Sequence, residues 1–571
     1  MVSVGASRYA PMGEWVEATT LGDLLVQAAG RAPEARAVVF PQTGERYADL
    51  LDGAVRMARG LLALGVDRGD HVGILMANSP DFLHTLFGAS MLGAVVVPVN
   101  SRFRSTELDF VVRHGDIRVI VTSDVVAEHA DHPARLTEAL PEIAGASDPT
   151  DLDLPAAPFL RAVVALGDGP PRPGFVGAEQ LEALAGKVLA SAVERRRARV
   201  RIRDTAMILY TSGTTASPKG CVHTHEGLVR NGIVTGRTRF FLTPEDRFWD
   251  PLPMFHVGFL LPMIAVLDAG ATMLTMTHLD GGAALDMMER ERATWLFPAF
   301  PAVANPFLDH PSFASRDLAT VRMAMCVGPP KILRRLQEAL PSAVQISTYG
   351  STETGGVITY HLPTDSPEQR ATTCGPPFRG VELRILDPLT AGEAPPGVIG
   401  EILVRSYSLL EGYYKDPEAT SIAIDAEGWL HTGDLGSLDE AGHVTYHGRL
   451  KDMLKVGGEN VAPAQVEAVI SECPGVRVVA VVGAPDERLD EVVAAFVERS
   501  PGAVVSDADV VEFCRKRIAS FKVPRYVRFV QEWPMSATKI QKHVLRERLL
   551  ADLGQATPGD DASALPAWQE E

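Results

Sequence analysis

Three short runs near the start of the chain set the fold class: Val72-Gly-Ile-Leu-Met76, Ala94-Val-Val-Val97 and Ile117-Arg-Val-Ile-Val121. Each is almost continuously apolar and rich in β-branched residues, so the sheet they form must be covered on both faces. The segments between them are long enough for helices, as parallel strands joined by crossovers require. Two amphipathic helices precede them. Thr20 can cap one that carries Leu24, Leu25, Ala28 and Ala29 and closes before Pro33. The other spans about residues 49 to 63, with Leu51, Ala54, Val55, Ala58, Leu61 and Leu62 as its stripe and Gly65 as its stop. The pattern predicts α/β organisation.

A chain of 571 residues exceeds what one core usually holds, so at least two domains are expected. Alternating strands and helices resume from Met207 to about Val357, after an alanine-, proline- and charge-rich stretch from about Ala127 to Arg203. Glu382 to Leu386 and Gly400 to Val404 then read as strands of a smaller β-rich unit. Past the turn Asp439 to Gly442, Pro463 opens a helix carrying Val466, Val469 and Ile470. Strands at Val478 to Val482 and Val492 to Val497 and a helix near Asp507 to Ile518 complete a C-terminal unit of roughly 100 residues, a normal domain size. The alanine-, proline- and acid-rich tail 551–571 is expected to be disordered.

A net charge of −18 argues against an extended nucleic-acid surface, and Arg195-Arg196-Arg197 reads as a solvated helix face leading into a strand from Val200 to Leu209. The five cysteines lie far apart with no CxxC pair, which suggests neither a disulfide framework nor a thiolate zinc site and fits a reduced, cytoplasmic setting. The first residues lack the apolar core of a signal peptide, and Pro262 and Asp268 interrupt the apolar stretch Val257 to Ala271. That stretch reads as a buried segment, and no membrane span is expected.

Chemistry concentrates in YTSGTTASPKG at residues 210–220. Backbone amides at Gly213 and Gly220, the hydroxyls of Thr211, Ser212, Thr214 and Thr215, and the Lys219 ammonium suit a polyphosphate: many donors and one mobile positive charge. The order differs from GxxxxGK[ST], so this is not a P-loop. His223 and His225 lack a third placed ligand and make a poor zinc site.

Four further motifs follow: PLPMFHVGF at 251–259, YGSTETGG at 349–356, GWLHTGDLG at 428–436 and GRLKDMLKVGGENVAPAQVE at 448–467. Together, in this order, they make roughly residues 20–550 resemble the AMP-forming adenylating enzymes, which include acyl-CoA synthetases, firefly luciferase and peptide-synthetase adenylation domains. The resemblance implies a large N-terminal portion, residues 1–448, with two sheet-helix layers and a β-rich subdomain. A hinge at 449–452 joins it to a mobile α+β C-terminal domain at 453–550. It also implies activation of a carboxylate by ATP to an acyl-adenylate and pyrophosphate, followed by transfer to a thiol.

By that resemblance Lys219 accompanies the β- and γ-phosphates, Thr352 donates to the α-phosphate, Glu353 holds Mg2+, and Tyr349 stacks on adenine. Asp434 and Arg449 bracket the ribose hydroxyls, and His256 stands at the mouth of the carboxylate channel. Lys451 matches the hinge position, and Gly457 and Gly458 of GGEN let the pantetheine arm of CoA pass close to backbone.

The chain departs from the family pattern twice. Ala216 replaces the second glycine of the phosphate loop, at a cost of about 1 kcal/mol if that position is left-handed. The stretch Pro534 to Lys542 is one residue short and lacks the glycine before its lysine; Lys539 aligns with the lysine that bridges α-phosphate and carboxylate, with Lys542 as fallback.

The resemblance places the acyl pocket between the segments that here supply Phe259, Leu260, Leu261, Met263, Phe297, Pro298, Met325 and Val327, an apolar lining in which Gly355 and Gly356 are expected to leave room. An apolar monocarboxylate is therefore the expected acid. The reading is an acyl-CoA ligase using ATP, Mg2+ and CoA. The alternatives are an enzyme that loads a carrier protein and a sensor of nucleotide or acyl-adenylate that has lost turnover. The apolar content also allows a homodimer.

Overall fold

The computed structural model describes residues 19–211, 218–387, 390, 392–457, 459–486, 488–536 and 539–555. Ser212, Gly213, Thr214, Thr215, Ala216 and Gly458 therefore lie outside the described residues, and Lys539 is described at its backbone only.

Two sheets carry the N-terminal portion. In the first, strands His71–Leu75, Val95–Pro98 and Ile117–Ser123 lie side by side and parallel, with His71 opposite both Val95 and Ile117. The helices between them have legible ends. Pro80–Leu92 starts with Ser79 accepting from the Phe82 amide and stops at Gly93, whose φ of 72° is the left-handed conformation a side chain would strain. Thr20 caps Leu21–Arg31 through the Asp23 amide at 3.1 Å. The second expected helix spans Tyr47–Ala63 and packs on Pro80–Leu92.

The first sheet gains Ala162–Leu166 and Val176–Gly177 on one side, and Thr205–Thr211, Lys219–Thr224 and Gly412–Tyr413 on the other. The Ala127 to Arg203 stretch is thus part of the sheet layer, contrary to its loop-like composition: Ala162-Val-Val-Ala-Leu166 pairs in parallel with Ile117–Ser123. The arginines there are structural, Arg197 pairing with Glu194 at 2.7 Å and with Asp23, and Arg196 approaching Asp67 at 3.4 Å.

The second sheet runs Val344–Ile346, Met323–Cys326, Trp295–Ala299, Arg247–Trp249, Thr272–Leu274, Arg36–Val39, Gly44–Arg46, all parallel except the last pair. Against it lies Val257–Ala269, apolar all round and almost wholly buried, as a core helix must be. Among the described residues no helix is long and apolar enough to cross a membrane.

An antiparallel sheet of Val381–Leu386, Gly400–Ser406, Leu430–Leu438 and Val444–Arg449 forms the β-rich subdomain. The C-terminal α+β unit follows, where Asp490–Arg499 pairs with Val476–Asp486, with Leu454–Val456 and with Tyr526–Phe529. Pro463 stands in the first turn of Pro463–Ser471. The last described helix, Lys542–Gln555, runs into the segment read as a tail, because Leu545 and Leu549 bury against the sheet and Leu553 packs beside them. The Lys331 ammonium on helix Pro330–Ala339 meets the Ser471 carbonyl, and Arg477 reaches Asp309 at 3.3 Å. These polar contacts join the two portions.

Candidate active site

Thr205–Thr211 and Lys219–Thr224 form an antiparallel hairpin in which Thr211 faces Lys219 and Tyr210 faces Gly220. The ladder delivers Lys219 to the end of the sheet, where its ammonium lies 4.9 Å from the centre of the Tyr413 ring. Gly220 is buried within the strand rather than offered to a ligand. A Cβ there would sit 2.8 Å from Ile208 and 3.3 Å from the Tyr210 ring, so cross-strand packing explains this glycine. The same strand buries His223, pulled down to about 4 by desolvation although a Thr352 backbone hydrogen bond opposes the shift. His225 is likewise buried, accepts from the Leu21 amide, and is lowered to about 4. Both are neutral core histidines, and no group of three metal-capable side chains occurs among the described residues.

YGSTETGG folds as a second hairpin, Thr348–Ser351 against Gly356–Tyr360, closed by the Gly355 amide donating to the Thr352 carbonyl at 3.0 Å. Thr352 and Glu353 therefore stand at its turn. Tyr413 donates its hydroxyl to Glu353 Oε1 at 3.3 Å. The half-buried carboxylate supplies the hard oxygen donor that Mg2+ prefers, so this turn fits such a cation with phosphate oxygens and water as its remaining ligands. Gly355 and Gly356 do not leave room, as the sequence reading had them do. Their φ values are 68° and 103°, and a Cβ would fall 2.3 Å from the Ser408 carbonyl oxygen and 2.4 Å from Leu261.

Tyr349, buried in the same hairpin, donates to Asp434 Oδ2 at 2.8 Å and stacks on Tyr446 with ring centres 6.1 Å apart. Burial pushes its phenol well above the usual range, and the Asp434 charge adds to the shift. Asp434 and Arg449 are opposed in adjacent strands, and the guanidinium Nε lies 2.9 Å from Asp434 Oδ1. Burial works against the Arg449 charge, but Asp434, Tyr446, Glu353 and Tyr349 together outweigh it and raise the pKa. The three side chains make one connected unit: an aromatic face, an acceptor and a fork of donors.

His256 caps the helix Val257–Ala269, its Nδ1 accepting from the Gly258 amide at 2.9 Å. That bond puts the ring proton of the neutral form on Nε2. The expected acyl segments meet in pairs, through Leu261 beside Gly356 and through Ala299 opposite Cys326, with the Val327 amide donating to the Ala299 carbonyl at 2.8 Å. Phe259, Leu260, Leu261, Met263, Phe297 and Met325 are all buried. Phe297 packs in a ring cluster with Phe240 and Phe248.

Lys451 is exposed in the single turn Leu450–Asp452 that follows strand Val444–Arg449. Gly457, at φ 59°, is exposed at the turn between Leu454–Val456 and Glu459–Val461. Lys542, the fallback lysine, is bound to Glu467 at 2.6 Å inside the C-terminal unit. Sequence reasoning missed Tyr413. Its GYY context reads as an ordinary loop, and only the strand pairing brings it between Lys219 and Glu353.

The chain belongs to the AMP-binding enzyme family: that family matches residues 25–414, and its C-terminal domain matches residues 465–539. The 3-(7a-methyl-1,5-dioxo-octahydro-1H-inden-4-yl)propanoyl:CoA ligase of Mycobacterium tuberculosis is 35% identical over 520 residues, covering 90% of this chain and 96% of its own. A long-chain-fatty-acid CoA ligase of the same species, FadD13, is 34% identical over 542 residues, covering 93% and 99%. Among solved structures, the anthranilate CoA ligase AuaEII in complex with anthranoyl-AMP matches with a TM-score of 0.83 at 25% identity, over 95% of this chain and 99% of that one. The chain is thus an ATP-dependent, AMP-forming enzyme that adenylates a carboxylate.

Proposed function

We propose that the protein is an acyl-CoA ligase acting on an apolar monocarboxylate. The observation that carries the reading is the convergence of Lys219, Glu353 and the Tyr349–Asp434–Arg449 unit around the two hairpins, beside an apolar helix headed by His256.

In the first step a carboxylate oxygen attacks the α-phosphorus, the bond to the β-phosphate breaks, and pyrophosphate leaves with the electron pair. Tyr349 stacks on the base, and Asp434 with Arg449 holds the ribose diol. Lys219 places its charge on the outer phosphates and Thr352 donates at the α-phosphate, where negative charge builds. Glu353 would hold Mg2+, which when bound would supply positive charge to the phosphate oxygens and ease departure of pyrophosphate. His256 orients the acid from Nε2, and Lys539 bridges the carboxylate and the α-phosphate.

In the second step the CoA thiol loses its proton to solvent, sulfur attacks the acyl carbonyl, the acyl C–O bond to phosphate breaks, and AMP leaves with the electron pair. The exposed turn at Gly457 supports passage of a narrow thiol arm, and rotation about Lys451 would bring that turn to the acyl-adenylate. The relatives are named for ligation of ring-bearing and long-chain acids to CoA, in keeping with the apolar lining.

Pyrophosphate release with Mg2+-ATP and straight-chain, cyclic and aromatic acids, with and without CoA, tests the reading. Release that depends on one apolar acid class and rises with CoA is expected. A preference for a holo-carrier protein over CoA would replace the ligase with the carrier-loading alternative, and ATP binding without release for any acid would favour the sensor.

A further inference from the structure

Residues 410–414 stitch the two phosphate-facing hairpins together. The Leu410 amide donates to the Glu353 carbonyl at 2.8 Å, while the Glu411 and Tyr414 amides donate to the Val222 and Gly220 carbonyls, each at 2.8 Å. Tyr413 pairs with Cys221 in the strand ladder, and its own amide donates to Thr420 Oγ1 at 2.8 Å. The backbone around this tyrosine is therefore tied on both sides. Its side chain spans the gap, with the Lys219 ammonium 4.9 Å from the ring centre and its hydroxyl donating to Glu353 Oε1 at 3.3 Å. Burial pushes the phenol far up, and the Glu353 charge adds to the shift, so the hydroxyl remains a donor.

A lysine and a glutamate on adjoining hairpins attract each other, and a direct ion pair would consume both the charge that phosphates need and the oxygen that a cation needs. Tyr413 instead gives each a weaker partner of its own: a π face for the ammonium and a hydroxyl for the carboxylate. Weak partners can be exchanged when stronger ones arrive.

We infer that Tyr413 is a positioning residue of the nucleotide site, keeping Lys219 and Glu353 from collapsing onto each other and aimed at the triphosphate and its magnesium. The inference rests on the assignment of Lys219 to phosphate and Glu353 to Mg2+ proposed above. It does not depend on the acid or on the thiol acceptor.

Calorimetric titration of the full chain with Mg2+-ATP, without acid or CoA, tests it. Tyr413→Phe keeps the ring and loses the hydroxyl; it should weaken binding about threefold and raise the Mg2+ concentration needed for half-saturation. Tyr413→Leu loses both and should weaken binding about tenfold. In a Glu353→Gln background the phenylalanine substitution should add little, because the partner it acts through is already changed. The thermal midpoint of nucleotide-free Tyr413→Phe should match the wild type, which a merely structural hydroxyl would not allow. Wild-type-like binding by Tyr413→Phe, or an effect undiminished in the Glu353→Gln background, overturns the inference. If the leucine variant fails to fold, the phenylalanine cycle still decides. A wild-type chain that does not bind Mg2+-ATP removes the nucleotide reading itself, and the inference falls with it.

Discussion

The two ends of the proposed nucleotide site are built differently. At one end Tyr349 and Asp434 are buried, and Asp434 joins Tyr349 and Arg449 through contacts of 2.8 and 2.9 Å across paired strands. At the other, Lys219 rests on an aromatic face at 4.9 Å, and Glu353 takes one hydroxyl at 3.3 Å. The first end pays its desolvation cost during folding and is ready before any ligand arrives. The second keeps its charges loosely held, which suits the roles proposed for them on phosphates and a cation whose positions shift as the reaction proceeds. A site that makes and releases pyrophosphate needs that asymmetry: a fixed grip on the part that stays and an adjustable one on the part that leaves.

The sharpest way to break this comparison is Lys219→Ala. It should lower acid-dependent pyrophosphate exchange by about 100-fold or more while leaving the thermal midpoint nearly unchanged, since the lysine contributes little to folding. Asp434→Ala should do the opposite in proportion, costing about 2 kcal/mol of folding stability by chemical denaturation as well as weakening ATP binding. Equal losses of stability in both variants would erase the distinction.

Gly356→Ala should cost about 1–3 kcal/mol, again by denaturation, because its left-handed backbone and the contact with Leu261 leave no space for a methyl group. An acid titration probes the base of the lysine hairpin. His223 and His225 titrate near 4 when folded and near 6.5 when unfolded, so the unfolded chain binds protons first. Their contribution should be complete above pH 6.5 and fade toward pH 4, seen as a falling urea midpoint that His223→Gln makes less steep. The smallest effect should come from Ala216→Gly, which would tighten ATP binding about fivefold if the position is left-handed, for a gain of about 1 kcal/mol.

Much of this was legible in the sequence because the chemistry and the local structure coincide there. The continuous β-branched runs became central parallel strands, and the motifs carrying Tyr349, Asp434 and Arg449 were recognisable before any geometry placed them together. Glycines were harder to read. Gly220, Gly355 and Gly356 sit in functional motifs, yet their immediate cause is steric: Ile208 and Tyr210, the Ser408 carbonyl and Leu261 lie where a side chain would go. Such reasons are long-range and leave no local trace. The strand Ala162–Leu166 did leave a trace, a five-residue apolar run that the surrounding alanines, prolines and charges concealed. Tyr413 left none, because its meaning depends on an edge strand pairing nearly 200 residues back along the chain.

The register of the Thr205–Thr211 and Lys219–Thr224 hairpin bears on how this enzyme could be altered. The ladder holds Thr211 and Lys219 opposite each other by pairs that continue down to Thr205 and Thr224. A shift of one residue would carry every side chain of Lys219–Thr224 to the opposite face of the sheet, Lys219 included. Substitutions along the described strands that keep this pairing leave Lys219 at its place in the ladder, so the frame and the lysine it presents can be altered one at a time.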